Sequence, residues 1–467
     1  MISSILLIVY GVWSYFFAGP DERLVLNPVL LSAAIVLGMI EYFWRRDRQL
    51  PIVDAGTLCA LITLVYIAVP AIFYIKAGLK FGPLSDGRLV MMGTTPADVA
   101  DFLWFVTAYI SALCVTYSLL RGPGMPGPRP EIGASTGDGW ALLAILVLAT
   151  IYQIGIEHTF HVHLNPGYKE LRQNILENKI VVLPRFVAQI THNVLAIGQI
   201  AMLGVIAFVF ARKNRLLGLV LTAYLLVDAY STIAAMGART YFVMLVIAVI
   251  LSCHRMLKPI GPIPATAMAI VLLSGLLGYG YVRQSAVGDV SDIWSTSNEF
   301  QILMTNGINM PWLIARGAMR DVPWQITYND FIMMIPQQLL PFPKFDIAEW
   351  YVEQMGWGKT PSGVMFGVVA QSKLGFGLPE MIIRGAVLGA VLAFIHRQCV
   401  KHANSLTSFI FYLWLCTSIY YTYRATTFYI ATWAVYRLIP FVLLFWLFSW
   451  MFRPKPDAAT ASQNPGS

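Results

Sequence analysis

The chain has 467 residues, 57% of them hydrophobic and 12% charged, with a formal net charge of +8 and a mean hydropathy of +0.65. So apolar a composition excludes a soluble domain of this length and places the chain in a lipid bilayer. The surplus positive charge lies in short connections between apolar runs, which reads as a topology signal and gives no reason to expect a nucleic-acid partner.

A spanning helix needs about 20 mostly apolar residues. Twelve stretches qualify, near 2–18, 28–44, 54–75, 99–119, 138–155, 186–211, 216–235, 240–254, 263–282, 379–396, 405–421 and 428–451. The first run lacks a basic n-region and an A-x-A cleavage pattern, so it is expected to remain as span one. Between successive pairs of spans come basic clusters: Arg45, Arg46, Arg48; Arg121, Arg129; Arg212, Lys213, Arg215; Arg255, Lys258; and Arg397, Lys401, with Arg453 and Lys455 in the tail. Cytoplasmic loops carry such clusters, so both termini are expected in the cytoplasm.

The alternate connections are then external: 19–27, 76–98, 156–185, 236–239, 283–378 and 422–427. Two of them, 156–185 and 283–378, are long enough to build a site. The expected architecture is all-α and polytopic, with about twelve transmembrane helices in one domain, 1–453, and the large external loop between spans nine and ten. Residues 454–467, "PKPDAATASQNPGS", read as a disordered cytoplasmic tail. All five cysteines fall in spans or on the cytoplasmic side, which leaves no disulfide framework outside.

A major-facilitator transporter also has twelve spans and inside termini, but it carries a long central cytoplasmic connection and two repeated halves. Here the central connection is "RKNR", and no half-to-half repeat is visible. The bulk lies outside instead, which favours an enzyme of the outer membrane face.

Within the large loop, "NEFQILMTNGINMPWLIARGAM" (298–319) has near-helical apolar spacing, broken at Gly307 and restarted at Pro311, and predicts two short helices on the membrane surface or capping the bundle. In "YNDFIMMIPQQLLPFPKF" (328–345), Pro336, Pro341 and Pro343 predict an extended path. "GWGKTPSGVMFGVVAQSKLGFGLPE" (356–380) is glycine-rich and too interrupted to span; a re-entrant piece of this kind is tolerated where protein or water surrounds it.

This order of features resembles the oligosaccharide repeat-unit polymerases of bacterial envelopes, the O-antigen and common-antigen type. The matching pieces are "MGARTYFVML" (236–245), "YVRQSAVGDV" (281–290), "YNDFIMMIPQQLLPFPK" (328–344), "TPSGVMFGVVAQSKLGFGLPE" (360–380) and "YRATT" (423–427), with a looser "GYKELR" (167–172) in the other large loop. Where some members have an acidic residue before the re-entry glycine, this chain has Val369, Gln371 and Lys373. An Arg-then-ten-then-Gly signature found in part of the family is absent from both loops.

The resemblance implies a glycosyltransferase of the bacterial inner membrane with its active site facing the periplasm. It would transfer a growing glycan from undecaprenyl pyrophosphate onto the next lipid-linked repeat unit, building O-antigen, capsule or exopolysaccharide. Its partners would be that lipid-linked glycan, membrane lipid and a chain-length regulator protein. An oligosaccharide ligase using the same donor is the alternative enzyme, and a lipid-linked oligosaccharide flippase or polysaccharide transporter the alternative of another class. Pyrophosphate is already a good leaving group, so the chemistry asks first for cations and then for a base on the acceptor hydroxyl.

Arg239 precedes the eighth span, beside outward-facing N–H groups where a cation is disfavoured unless an anion is held there or Asp228 offsets it. Arg424 is expected to repeat the arrangement before the twelfth span. Arg283 follows the ninth span's carboxyl end, where a cation is favoured anyway, and only the resemblance marks it. Arg437 lies about 14 Å into the last span at the helical rise, a depth at which an ionisable residue is functional or internally paired, with Asp228 the nearest partner.

His158, His161 and His163 are spaced for a metal, but pyrophosphate chemistry can run on arginines, so neither metal nor cofactor is expected. With Tyr168 and Arg172 beside them, a substrate-binding or interfacial role fits better. Trp294, Trp312 and Trp324 read as sugar platforms or as an interfacial belt. Glu299, Asp330 and the histidines are the external candidates for a base. Glu299 and Arg239 are taken as the catalytic pair, and Arg239, Arg283, Arg424, Arg437, Arg172 and Tyr168 as the substrate-binding set.

Overall fold

In the computed structural model the described residues are 9–13, 16–47, 54–77, 95–124, 132–162, 183–212, 239–257, 298–315, 323–345, 347–354 and 366–453, with a few positions between 220 and 274. They form helices and turns, and one isolated bridge, Gly133 with Ser405, is the β-type contact among them. In chain order the helices are α1 (Pro20–Asp47), α2 (Ala55–Ala77), α3 (Pro96–Leu120), α4 (Thr136–Phe160), α5 (Arg185–Ala211), α6 (Arg239–Met256), α7 (Asn298–Ala315), α8 (Pro323–Ile332), α9 (Ile347–Gln354), α10 (Val368–Leu374), α11 (Leu378–Lys401), α12 (Leu406–Ser418), α13 (Tyr421–Arg424), α14 (Tyr429–Trp433) and α15 (Ile439–Met451).

Seven helical stretches among the described residues are long and apolar enough to cross a membrane: Pro20–Asp47, Ala55–Ile72, Pro96–Leu120, Thr136–Phe160, Phe186–Ala211, Leu378–Lys401 and Tyr429–Met451. The protein is an all-α, multi-pass membrane protein. These seven are expected spans two to six, ten and twelve; spans eight and eleven correspond to the shorter apolar helices Met244–Met256 and Leu406–Ser418. Spans one, seven and nine, and the tail 454–467, fall wholly or mostly outside the described residues.

Local chemistry starts α3 and α4 in the same way. Thr95 accepts from the N–H of Asp98 at 3.3 Å while the Asp98 carboxylate accepts from the N–H of Thr95 at 2.7 Å. Ser135 and Asp138 repeat this reciprocal cap at 3.2 and 2.8 Å. Each pair satisfies two N–H groups that a helix start would leave bare.

Several boundaries differ from the sequence reading. The connection expected at 19–27 is the first two turns of α1, and α4 runs to Phe160, so the connection after it begins at His161. Residues 298–315 form one helix and not two: a Cβ at Gly307 would stand 2.5 Å from the Phe102 ring, so this glycine admits α3 and breaks nothing. The path of 328–345 is helical as far as Ile332 and turns only afterwards, because Pro336 constrains the residues at and just before it, not those four earlier.

The chain divides into two compact units. The first contains Met1–Gly127, Lys258–His402 and Leu415–Thr432; the second contains Pro128–Leu257, Ala403–Trp414 and Trp433–Ser467. The backbone of the first unit is the pair α3 and α11, which are parallel. Gly385 faces the Tyr109 carbonyl, Gly389 faces the Leu113 carbonyl, and the His396 ring lies edge-on to Tyr117 at 6.3 Å. Gly385 and Gly389 make a G-x-x-x-G stripe, which lets two helix backbones approach closely where lipid offers no hydrophobic drive for association. α1 joins through Thr107 of α3, whose hydroxyl donates to the Pro28 carbonyl at 3.0 Å and lies 3.0 Å from Ser32 Oγ.

At one end of this unit the termini of α1, α2, α3 and α11 converge on Arg121. Its guanidinium donates to Asp54 at 2.5 Å and Asp47 at 2.6 Å and lies 4.2 Å over the Phe43 ring. One member of the basic set read from the sequence is therefore a buried tie between helices.

In the second unit α4 packs on α5 and α15, and α5 packs on α6. Tyr152 of α4 and Thr191 of α5 share a hydrogen bond of 3.2 Å.

Candidate functional site

At the other end of the first unit, α7, α8 and α10 gather around the first turns of α3 and α11. α10 is the hub: it packs on α3, α7, α8, α11 and α13, and six of its seven residues are buried. Glycines with left-handed backbone bracket it. Gly367 (φ +86) precedes α10, and Gly377 (φ +70) lets the chain reverse into α11, its N–H bonding the Ser372 carbonyl at 2.7 Å. Of the segment read as re-entrant, α10 is enclosed by protein, and residues 356–365 lie outside the described residues.

A charged network fastens this hub. Arg384 of α11 donates to Glu380 one turn earlier at 2.8 Å and pairs with Asp330 of α8. Gln371 of α10 donates to Asp330 at 3.2 Å and to the Ile326 carbonyl at 3.3 Å. The remaining oxygen of Glu380 accepts from the N–H of Phe376 at 2.7 Å and from Thr327 at 3.2 Å. All four long side chains are at most 5% exposed. Two carboxylates against one guanidinium leave one formal negative charge, and the Gln371, Thr327 and Phe376 donors solvate it. Next to it, Lys373 of α10 reaches Asp101 of α3 at 2.5 Å, over the Phe105 ring. The guanidinium of Arg384 is buried against Asp330 and Glu380, so the network ties α8 and α10 to α11.

Among the groups shifted beyond the spans are Tyr351 and Lys344. Burial pushes the Tyr351 hydroxyl of α9 well above its ordinary range, opposed by the hydrogen bond it accepts from Asn309 of α7 at 3.0 Å. Burial also lowers the Lys344 ammonium below the usual lysine range; it donates to the Met333 carbonyl at 3.2 Å.

The sequence-derived candidates scatter. Arg424 is the last residue of α13, half-buried, in the first unit. It precedes the last span, as read, with Ala425 to Phe428 between it and α14; it also closes the short α13, and near the closing carbonyls of a turn a cation is the favoured sign. Arg239 and Arg437 belong to the second unit. α6 begins at Arg239, as its reading requires, but the side chain lies outside the described residues.

Arg437 is buried in a π-helical turn, Ala434–Leu438, inside the last span. Its Nε donates to Asn193 Oδ1 of α5 at 3.3 Å, and its guanidinium lies 4.0 Å over the Trp433 ring. Such turns recur at functional sites because they re-aim one side chain out of helical register.

Glu299 is in the first turn of α7, with its side chain outside the described residues, as are the side chains of Trp312 and Trp324. Arg283, Arg172, Tyr168, Asp228, His163 and Trp294 lie outside them altogether. The His158 and His161 rings are 6.4 Å apart at the end of α4; among the described residues no group of three His, Cys, Asp or Glu is placed to hold a metal.

Asp330, read as a candidate base, is instead an ion-pair partner buried from solvent. Sequence reasoning passed over Arg384 and Glu380, and marked Gln371 only as standing where some members of the family have an acidic residue. The signal was there: a Glu-x-x-x-Arg pair at the mouth of an otherwise apolar span, followed at once by G-x-x-x-G. No family model, curated protein or solved structure matches the chain.

Proposed function

We propose that the chain is a membrane glycosyltransferase that polymerises undecaprenyl-pyrophosphate-linked repeat units at the periplasmic face of the bacterial inner membrane. The observation that supports this best is the convergence of α8, α10 and α13. These helices carry parts of three of the segments that resemble the polymerase family, 328–344, 360–380 and 423–427, and α10 packs on both α8 and α13 although up to about a hundred positions separate them.

The parallel packing of α3 with α11 supports the proposed topology as well. Two spans that run in the same direction need an odd number of crossings between them, and the twelve-span order has five. It also sets the α10 hub and the Arg121 cluster at opposite ends of the unit. In this reading the hub holds α8, α10 and α11 in place, and within the same unit Arg424 is a cation for the pyrophosphate and Glu299 the base.

The test is glycan length. A deletion strain should display single repeat units at the cell surface, because flipping and ligation are intact, and the purified protein should elongate lipid-linked repeats in the presence of excess chelator. A strain with no surface glycan would indicate a flippase or transporter and overturn the reading.

A further inference from the structure

We propose that the second half of α8 and the turn after it, residues 328–342, lie within the headgroup and upper acyl region of the bilayer and dock on lipid, with Leu339 and Phe342 inserted. The argument starts from Arg384. With 24 residues, α11 is about 36 Å long at the helical rise, against a hydrocarbon core of about 30 Å. Arg384 is six residues from its start, about 9 Å along the axis. In a centred span it therefore sits below the hydrocarbon boundary, where an unpaired guanidinium would be costly. Its partner Asp330 comes from α8, and Thr327 of α8 bonds Glu380 one turn higher. Two separate ties hold α8 alongside the first turns of α11, so α8 shares their depth.

The outward face of the segment suits that depth. While Asn329 and Asp330 are buried, Phe331 is 55% exposed, Leu339 72% and Phe342 45%. α11, to which α8 is tied, exposes apolar side chains of its own, among them Leu378, Ile382 and Ile383. The turn is also rigid, so these side chains are held outward: Gln337 donates to the Phe342 carbonyl at 2.8 Å and accepts from the N–H of Lys344 at 3.0 Å, with prolines at 336, 341 and 343. Preordered apolar side chains beside a span, with a lysine at their base, match the acyl–headgroup boundary of a membrane.

The experiment needs no knowledge of the reaction. Four native cysteines are buried and Cys253 is half-buried, so Cys253→Ser gives a quiet background. Leu339→Cys and Phe342→Cys are labelled with an environment-sensitive fluorophore in phosphatidylethanolamine–phosphatidylglycerol vesicles. Val391→Cys near mid-α11 and Asn404→Cys in the exposed turn after α11 serve as lipid and water references. Labels at 339 and 342 should be quenched more strongly than Val391 by lipid carrying a doxyl group near its carbonyl end, and several-fold less than Asn404 by iodide. Iodide quenching equal to that at Asn404 would overturn the proposal. So would protection from both quenchers, which would mean that protein covers this face.

Discussion

Gly389→Ala isolates the contact on which the first unit is built. A Cβ at this position would stand 2.6 Å from the Leu113 carbonyl oxygen and 3.1 Å from the Tyr117 nitrogen, whereas ordinary contact begins at 3.4 Å. The shortfall against Leu113 is 0.8 Å (3.4 minus 2.6). Both obstacles are backbone of α3, so no side chain can rotate aside and the two helices must separate or shear. Overpacking of this kind costs about 1–3 kcal/mol, and unyielding backbone puts the site at the upper end. Replacing glycine by alanine inside a helix returns about 1 kcal/mol. The net loss is about 2 kcal/mol, roughly a thirtyfold fall in the folded-to-unfolded ratio.

Gly38→Ala in α1 is the internal control: the same chemical change meets nothing within 4 Å, so only the helical gain remains and the sign reverses. Both variants would be heated in detergent and the surviving monomer measured by size-exclusion chromatography, with Gly389→Ala below the parent and Gly38→Ala at or above it. If the two variants rank together, the close approach of α3 and α11 is not what holds this unit.

Arg384→Met leaves two buried carboxylates without their cation and should cost about 3–5 kcal/mol; adding Asp330→Asn and Glu380→Gln should recover most of the loss in the same heating assay, and a stable single variant would show that the ion network carries no weight. Under the polymerase reading, Arg239→Ala or Arg424→Ala should collapse long glycan to single repeats at normal protein level. Since a charge-assisted contact contributes about 1.5–3 kcal/mol, turnover should fall about tenfold or more, and Lys should restore only part because it lacks the planar fork. Full-length polymer from well-expressed Arg239→Ala protein at limiting donor would end the assignment of pyrophosphate to that residue.

Hydropathy alone determined that the chain belongs in a bilayer and located the seven long helices seen here, because spanning is a sum over about 20 neighbouring residues and needs no knowledge of what lies beside them. The caps formed by Thr95 with Asp98 and Ser135 with Asp138, which the hydropathy reading does not include, also act within one turn. Periodicity failed where a residue answers to a distant neighbour. Gly307 looks like a helix breaker in sequence and is a contact point in space, set by Phe102.

Charge is the sharper case. Asp330 reads as a loop carboxylate free to act as a base, yet it is the partner of Arg384, 54 positions away, and Arg121 reads as a solvated topology signal yet closes on Asp47 and Asp54. An ion's role depends on which opposite charge shares its low-dielectric surroundings, since a buried charge is tolerable only when paired. That pairing is decided by which helices lie side by side, and only the tertiary structure supplies it.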